Sequence, residues 1–135
     1  MCGILALFGE DVEVSSYLLT HRGPDDYRTK TLGKCRMDFY RLAINDLTDA
    51  GMQPFRQGDH MLVCNGEIYN YSALAKKYDI NLMTGSDCEI ILHLFHKLGM
   101  NRMCKELDGV FAFCLYDAKT KTMYSSRDRY GVRPS

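Results

Sequence analysis

Cys2 follows a methionine that cells generally trim when the next residue is small. Trimming leaves a thiol and a free α-amine on one residue. The ordinary pKa of the amine is about 7.7–8.0 and that of the thiol about 8.5, so near neutral pH part of the amine is free to take the thiol proton. A nucleophile of this kind carries its own base and needs no histidine. The competing reading, from position alone, is an ordinary buried strand cysteine.

Three other places hold groups suited to a reacting acyl centre. Asn65-Gly66-Glu67 closes an apolar stretch. A side-chain amide and a glycine N–H are suitable donors for an oxyanion, although Asn-Gly is also a common turn dipeptide. Arg41 interrupts the apolar run Phe39–Ile44, and a guanidinium there suits two-pronged capture of a carboxylate or is a solvated edge charge. Asp87 opens a helical pattern, where the helix dipole favours an acid. An amino-acid ligand needs one cation for its carboxylate and one anion for its ammonium; Arg41 with Asp87 or Glu67 supplies that set. His93 and His96, with Cys88, do not match a recognised metal-ligand spacing, and no metal is expected. His21, in His21-Arg22-Gly23-Pro24-Asp25, reads as a loop-holding residue. Arg127-Asp128-Arg129-Tyr130 reads as a turn with internal ion pairs, or as an interface.

The elements that must position these groups follow from pattern. Strands are predicted over Cys2–Phe8, Arg36–Ile44, Met61–Cys64, Val110–Tyr116 and Thr122–Ser126, with Asp117–Lys121 as a hairpin loop. Val12–Leu19 is helical or a loop. Ser72–Tyr78 is a short helix. A better one runs from Asp87 to Leu98, with Ser86 and Glu89 as a capping box, an apolar stripe of Ile90, Ile91, Leu94, Phe95 and Leu98, and Gly99 as the C-terminal stop. Val110–Tyr116 is apolar on both alternating faces, so it is expected to be buried on both. The order of elements lacks a βαβ rhythm and predicts mainly antiparallel sheet with packed helices in stacked layers.

Composition sets the frame. The chain has 135 residues, 46% apolar and 25% charged, which suits one domain with its own core. Seventeen basic residues balance seventeen acidic ones, so no nucleic-acid partner is expected. No apolar run approaches the ~20 residues of a membrane span. The apolar start lacks a basic lead and stops at Gly9-Glu10, so it is not a signal peptide. A cytoplasmic location is expected. The six cysteines form no C-x-x-C pair; apart from Cys2 they read as free thiols packed as small apolar residues.

Taken together, Met1-Cys2-Gly3-Ile4, His21–Asp25, Arg41-Leu42, Gln53-Pro54, Asn65–Asn70, Thr84–Glu89, Leu107–Phe113 and Arg127–Pro134 stand in one order. In that order the chain resembles the N-terminal glutaminase domain of the glutamine-dependent asparagine synthetases, which are class II, N-terminal-nucleophile amidotransferases. The Cys2 start and the His-Arg-Gly-Pro turn are shared across class II, whereas Asn65–Asn70 and Gly85–Glu89 are more specific. The resemblance implies an α+β fold: an αββα sandwich of two mainly antiparallel sheets flanked by helices. It implies that Cys2 attacks the side-chain amide of glutamine with its own amine as base. Asn65 and the Gly66 N–H would form the oxyanion hole. Arg41 would hold the substrate carboxylate, Asp87 and Glu67 its ammonium, and backbone near Leu42 and Ile44 would line the pocket.

The glutaminase step needs no cofactor. ATP and Mg2+ belong to the synthetase domain of that family, the partner that would use the ammonia to make asparagine from aspartate, and its Gly-rich pyrophosphate loop is not in this sequence. Residues 1–135 are therefore expected to be a truncated glutaminase domain, C-terminally incomplete, with the family's remaining strands following Pro134. A homodimer remains open. So do two other functions: the glutaminase part of another class II enzyme, and a non-catalytic remnant.

Overall fold

The computed structural model describes residues 2–9, 16–42 and 51–130. Two antiparallel sheets face each other. The first has three strands: β1 (Gly3–Phe8), β2 (Asp26–Leu32) and β3 (Cys35–Arg41), in the order β1-β3-β2. The second has four: β4 (Phe55–Gln57), β5 (His60–Ile68), β6 (Gly109–Asp117) and β7 (Thr122–Arg127), in the order β4-β5-β6-β7. Helices α1 (Tyr71–Lys77), α2 (Glu89–Leu98) and α3 (Met100–Glu106) lie between β5 and β6 in the chain. This is the expected α+β sandwich. No helix among the described residues is long and apolar enough to cross a membrane.

Strand alternation divides the apolar residues into two cores. Cys35, Met37 and Phe39 of β3, Met61 and Val63 of β5 and Tyr116 of β6 meet between the sheets, with Cys2, Ile4 and Ala6 packed against them. The opposite residues of β5 and β6, Leu62, Cys64, Ile68, Phe111, Phe113 and Leu115, face the helices. There they meet Ile90, Ile91, Leu94 and Phe95 of α2, all buried. Strand β6 is thus buried on both faces, as its unbroken apolar sequence requires. Gly99 ends α2 at φ 76°, with its N–H donating to the Phe95 carbonyl, as expected.

A 3-10 helix, Ser16–Arg22, packs on the outer face of the first sheet. A side chain at Gly3 would stand 3.1 Å from Leu19. The turn after it presses closer still: a Cβ at Gly23 would lie 2.0 Å from the Tyr40 carbonyl oxygen. The Asp25 N–H donates to the Arg41 carbonyl at 2.9 Å. This turn fixes the end of β3, where Arg41 and Leu42 emerge.

Several boundaries differ from the sequence expectations. Strand β5 runs to Ile68, not Cys64, because Asn65, Gly66 and Glu67 all pair with β6; the Asn-Gly dipeptide lies within the strand. Strand β2 was not anticipated, since Arg28 and Lys30 break the apolar alternation on its inner side, and three-residue β4 and α3 carried too little periodicity. The end predicted for the β3 strand, Ala43-Ile44, lies outside the described residues, as does the first part of Val12–Leu19.

Candidate active site

Cys2 precedes β1, next to the paired end of β3. Gly3 pairs with Tyr40, which sets Cys2 beside Arg41. The Cys2 Sγ accepts from the Leu42 N–H at 3.3 Å and donates to the Leu42 carbonyl at 3.4 Å. Burial raises the thiol pKa above its ordinary value, opposed in part by the Leu42 N–H. The thiol is therefore protonated at neutral pH, and attack requires a base that removes its proton.

Arg41 and Asn65 are both buried. Alternation turns Arg41 the same way as Cys35, Met37 and Phe39, and Asn65 the same way as Met61 and Val63: into the space between the sheets. Cys2, Arg41 and Asn65 therefore share one end of that space.

The free edge of β5 supplies the next donors. In an antiparallel strand, successive residues direct their backbone groups to alternate sides. The Phe111 N–H donates to Asp128 Oδ2 at 3.0 Å, and the Phe111 carbonyl accepts from the Asp128 N–H at 2.9 Å. Both Phe111 groups thus face away from β5, so its partner Gly66 turns its own groups away from β6. The same edge carries Leu62, paired with Phe55 of β4. Beyond β4, Gln53 takes over with a side chain in place of a strand. Its Oε1 accepts from the Cys64 N–H at 2.6 Å and its Nε2 donates to the Cys64 carbonyl at 3.1 Å. Next, the Cys88 thiol meets the Gly66 carbonyl at 3.7 Å. Last, the Asp87 Oδ2 accepts from the Ile68 N–H at 2.5 Å. The Gly66 N–H stands in this row between two fixed neighbours, at the level of Asn65.

Replacing Gln53 by alanine strips both bonds from a buried peptide. Orphaned buried groups cost about 1–3 kcal/mol each, so Gln53→Ala is expected to destabilise the fold by at least about 2 kcal/mol in urea unfolding. Gln53 was part of the family pattern in the sequence but carried no local sign of this role.

Asp87 and Glu67 are placed differently. Asp87 is buried, with one carboxylate oxygen on the β5 backbone. Glu67 is exposed. Ile44, the remaining residue of the expected set, lies outside the described residues.

The expected capping box does not form. Helix α2 begins at Glu89 with Cys88 as N-cap and no side-chain cap bond. Glu89 reaches back instead. It accepts from the Met83 N–H (2.7 Å), the Thr84 N–H (2.8 Å) and the Thr84 hydroxyl (2.6 Å), and meets His93 Nε2 at 2.9 Å. His93 Nε2 is thereby engaged by the Glu89 carboxylate; among the described residues no group of three or more His, Cys, Asp or Glu is placed to hold a metal. Burial alone would raise the Glu89 carboxyl, but the bonds from Thr84, His93 and Met83 outweigh it and hold its pKa below the ordinary value. A depressed carboxylate stabilises the fold above its unfolded pKa of about 4.3 and loses that contribution as pH falls through the folded value. Glu89→Gln is therefore expected to lower the unfolding midpoint at pH 7 and to narrow the gap from wild type below pH 4, measured by circular dichroism.

Asn70 ties the site to α3. Its Nδ2 donates to the Glu106 carbonyl at 2.8 Å, and its Oδ1 accepts from the Asp108 N–H at 3.0 Å. Asp128 similarly carries Phe111 and the Tyr130 N–H, so the Arg127–Tyr130 turn is built on backbone bonds to this aspartate.

Residues 1–135 match the family model of the glutamine amidotransferase domain. The chain belongs to the glutamine amidotransferase domain family. Among the relatives of this amidotransferase domain is the asparagine synthetase [glutamine-hydrolyzing] of Rattus norvegicus, 44% identical over 145 residues, covering 99% of this chain and 26% of the relative. That of Gallus gallus is 41% identical over the same length and coverage. A probable asparagine synthetase [glutamine-hydrolyzing] of Acanthamoeba polyphaga mimivirus is 40% identical over 147 residues, covering 99% of this chain and 27% of the relative. The chain thus spans about a quarter of the length of the curated relatives it matches.

Proposed function

We propose that this amidotransferase domain hydrolyses the side-chain amide of glutamine through Cys2. One observation carries the reading: the Cys2 thiol is held on the Leu42 backbone at the end of the intersheet space that Arg41 and Asn65 also enter. With Met1 removed, the Cys2 amine takes the thiol proton as Sγ attacks the amide carbon. The carbonyl oxygen becomes an oxyanion, stabilised by the Asn65 amide and the Gly66 N–H. The protonated amine returns its proton to the leaving nitrogen, ammonia departs and a thioester remains. Water, activated by the same amine, releases glutamate and restores the thiol. Arg41 holds the substrate carboxylate. Asp87 and Glu67 hold its ammonium. Leu42 lines the pocket with backbone.

In a longer protein of the relatives' kind, the ammonia would serve ATP-dependent synthesis of asparagine from aspartate, with ATP and Mg2+ bound by a separate synthetase domain. We place the protein in the cytoplasm, a reading supported by its six unpaired cysteines.

The test is glutamate release measured on two preparations, one with Met1 retained and one with it removed. Only the second is expected to turn over, because an amide nitrogen at Cys2 has no basic lone pair. Equal turnover by both would refute the amine as base.

A further inference from the structure

The two edge strands on one side of the sandwich, β2 and β4, do not meet. Between them lies a cavity of about 290 Å³, closed on the helix side by the start of α2. Three cations line it: Arg28 and Lys30 from β2 and Arg56 from β4. They come from different sheets. The ion pairs among the described residues include none of the three; Arg56 Nε donates to the Gly58 carbonyl. The acid on the wall, Glu89, is already engaged by Met83, Thr84 and His93. Burial, and then the Arg28 and Arg56 guanidiniums, push the Lys30 ammonium below its ordinary pKa, as expected for like charges crowded together.

Inward-pointing charges on an edge strand can serve simply to stop the edge pairing with another chain. That accounts for Arg28 and Lys30 on β2. It does not require a third cation from the opposite sheet at the same mouth, which adds only repulsion unless an anion offsets it. Two guanidiniums and an ammonium match an oxyanion with several acceptor oxygens and more than one negative charge. The site is separate from Cys2: Arg28 pairs with Phe39, and Lys30 with Met37, two and four residues along β3 from Arg41.

We propose that the cavity between β2 and β4 binds a small, multiply charged oxyanion of the phosphate class: phosphate, diphosphate or a compact phosphate ester. The site stands independently of glutamine hydrolysis. The test is thermal unfolding of the chain with inorganic phosphate, diphosphate or succinate, at one ionic strength kept constant with sodium chloride. Diphosphate at about a hundredfold excess over its dissociation constant is expected to raise the midpoint by roughly 5–10 °C. Arg28→Gln/Arg56→Gln should abolish the rise, and Arg56→Gln alone, at an exposed position, should weaken binding about tenfold. Lys97→Gln, an exposed cation on α2, should leave it intact. A rise equal to that with chloride or succinate would overturn the proposal, as would one that survives in both Arg56 variants.

Discussion

Cys2→Ala is expected to lower glutamate release by at least about 10³-fold, the scale seen when a covalent nucleophile is removed. The substitution removes one sulfur from a half-buried position at the end of a strand, so the fold should remain. What it removes chemically is the atom that forms the thioester. Burial keeps the thiol protonated until a base takes its proton. Cys64 and Cys88 lie on the helical side of the second sheet, where the neighbouring Cys64 thiol and burial hold the Cys88 pKa well above its ordinary value. Glutamate release assayed beside circular dichroism separates loss of chemistry from loss of structure. Residual activity within tenfold of wild type would assign the nucleophile elsewhere.

Gly66→Ala is expected to be the most damaging single methyl group in the second sheet. A Cβ at Gly66 would lie 2.1 Å from the Val110 carbonyl oxygen and 2.5 Å from the Phe111 Cα. Both are backbone atoms of β6, buried on both faces, so neither can move without opening the β5–β6 ladder. Gly66 also sits at φ 150°, which disfavours a side chain. Overpacking and backbone strain together cost roughly 3 kcal/mol or more, a large part of the 5–15 kcal/mol typical of a whole domain. Gly58→Ala is the matched comparison: its φ is also positive, at 57°, but nothing lies within 4 Å. Urea unfolding should show a much larger loss for Gly66→Ala. Equal losses would mean that the close approach of β6 does not matter. Because the Gly66 N–H is assigned to the oxyanion, any folded fraction of Gly66→Ala should also turn over more slowly.

The layered fold was legible in the sequence because β6 is apolar on both faces and α2 carries one apolar stripe with a glycine stop. Each is a local pattern with a local meaning. Arg41 and Asn65 were visible as polar residues within otherwise apolar strands. Their convergence with Cys2 was not, because it depends on the register of β1 with β3 and the facing of two sheets, both set by contacts distant in sequence. Gln53 illustrates the limit most clearly. Its amide imitates a strand where β4 ends, and nothing near it in the chain foretells the partner Cys64. Glu89 shows a local rule overridden: the capping box requires its carboxylate to turn towards Ser86, but the Met83 and Thr84 N–H groups offer it three bonds with the Thr84 hydroxyl. Strand β2 escaped notice because its inner positions carry the cations that the cavity brings together.

The central claim is that the α-amine and thiol of Cys2 act as one catalytic unit on glutamine. It is tested most directly by intact-mass and peptide mass spectrometry of the Met1-free protein, quenched in acid during turnover of glutamine. A glutamyl thioester is expected on the N-terminal peptide, absent from Cys2→Ala and from protein that retains Met1. An acyl group on any other cysteine, or one on Cys2 in the Met1-retaining form, would contradict it.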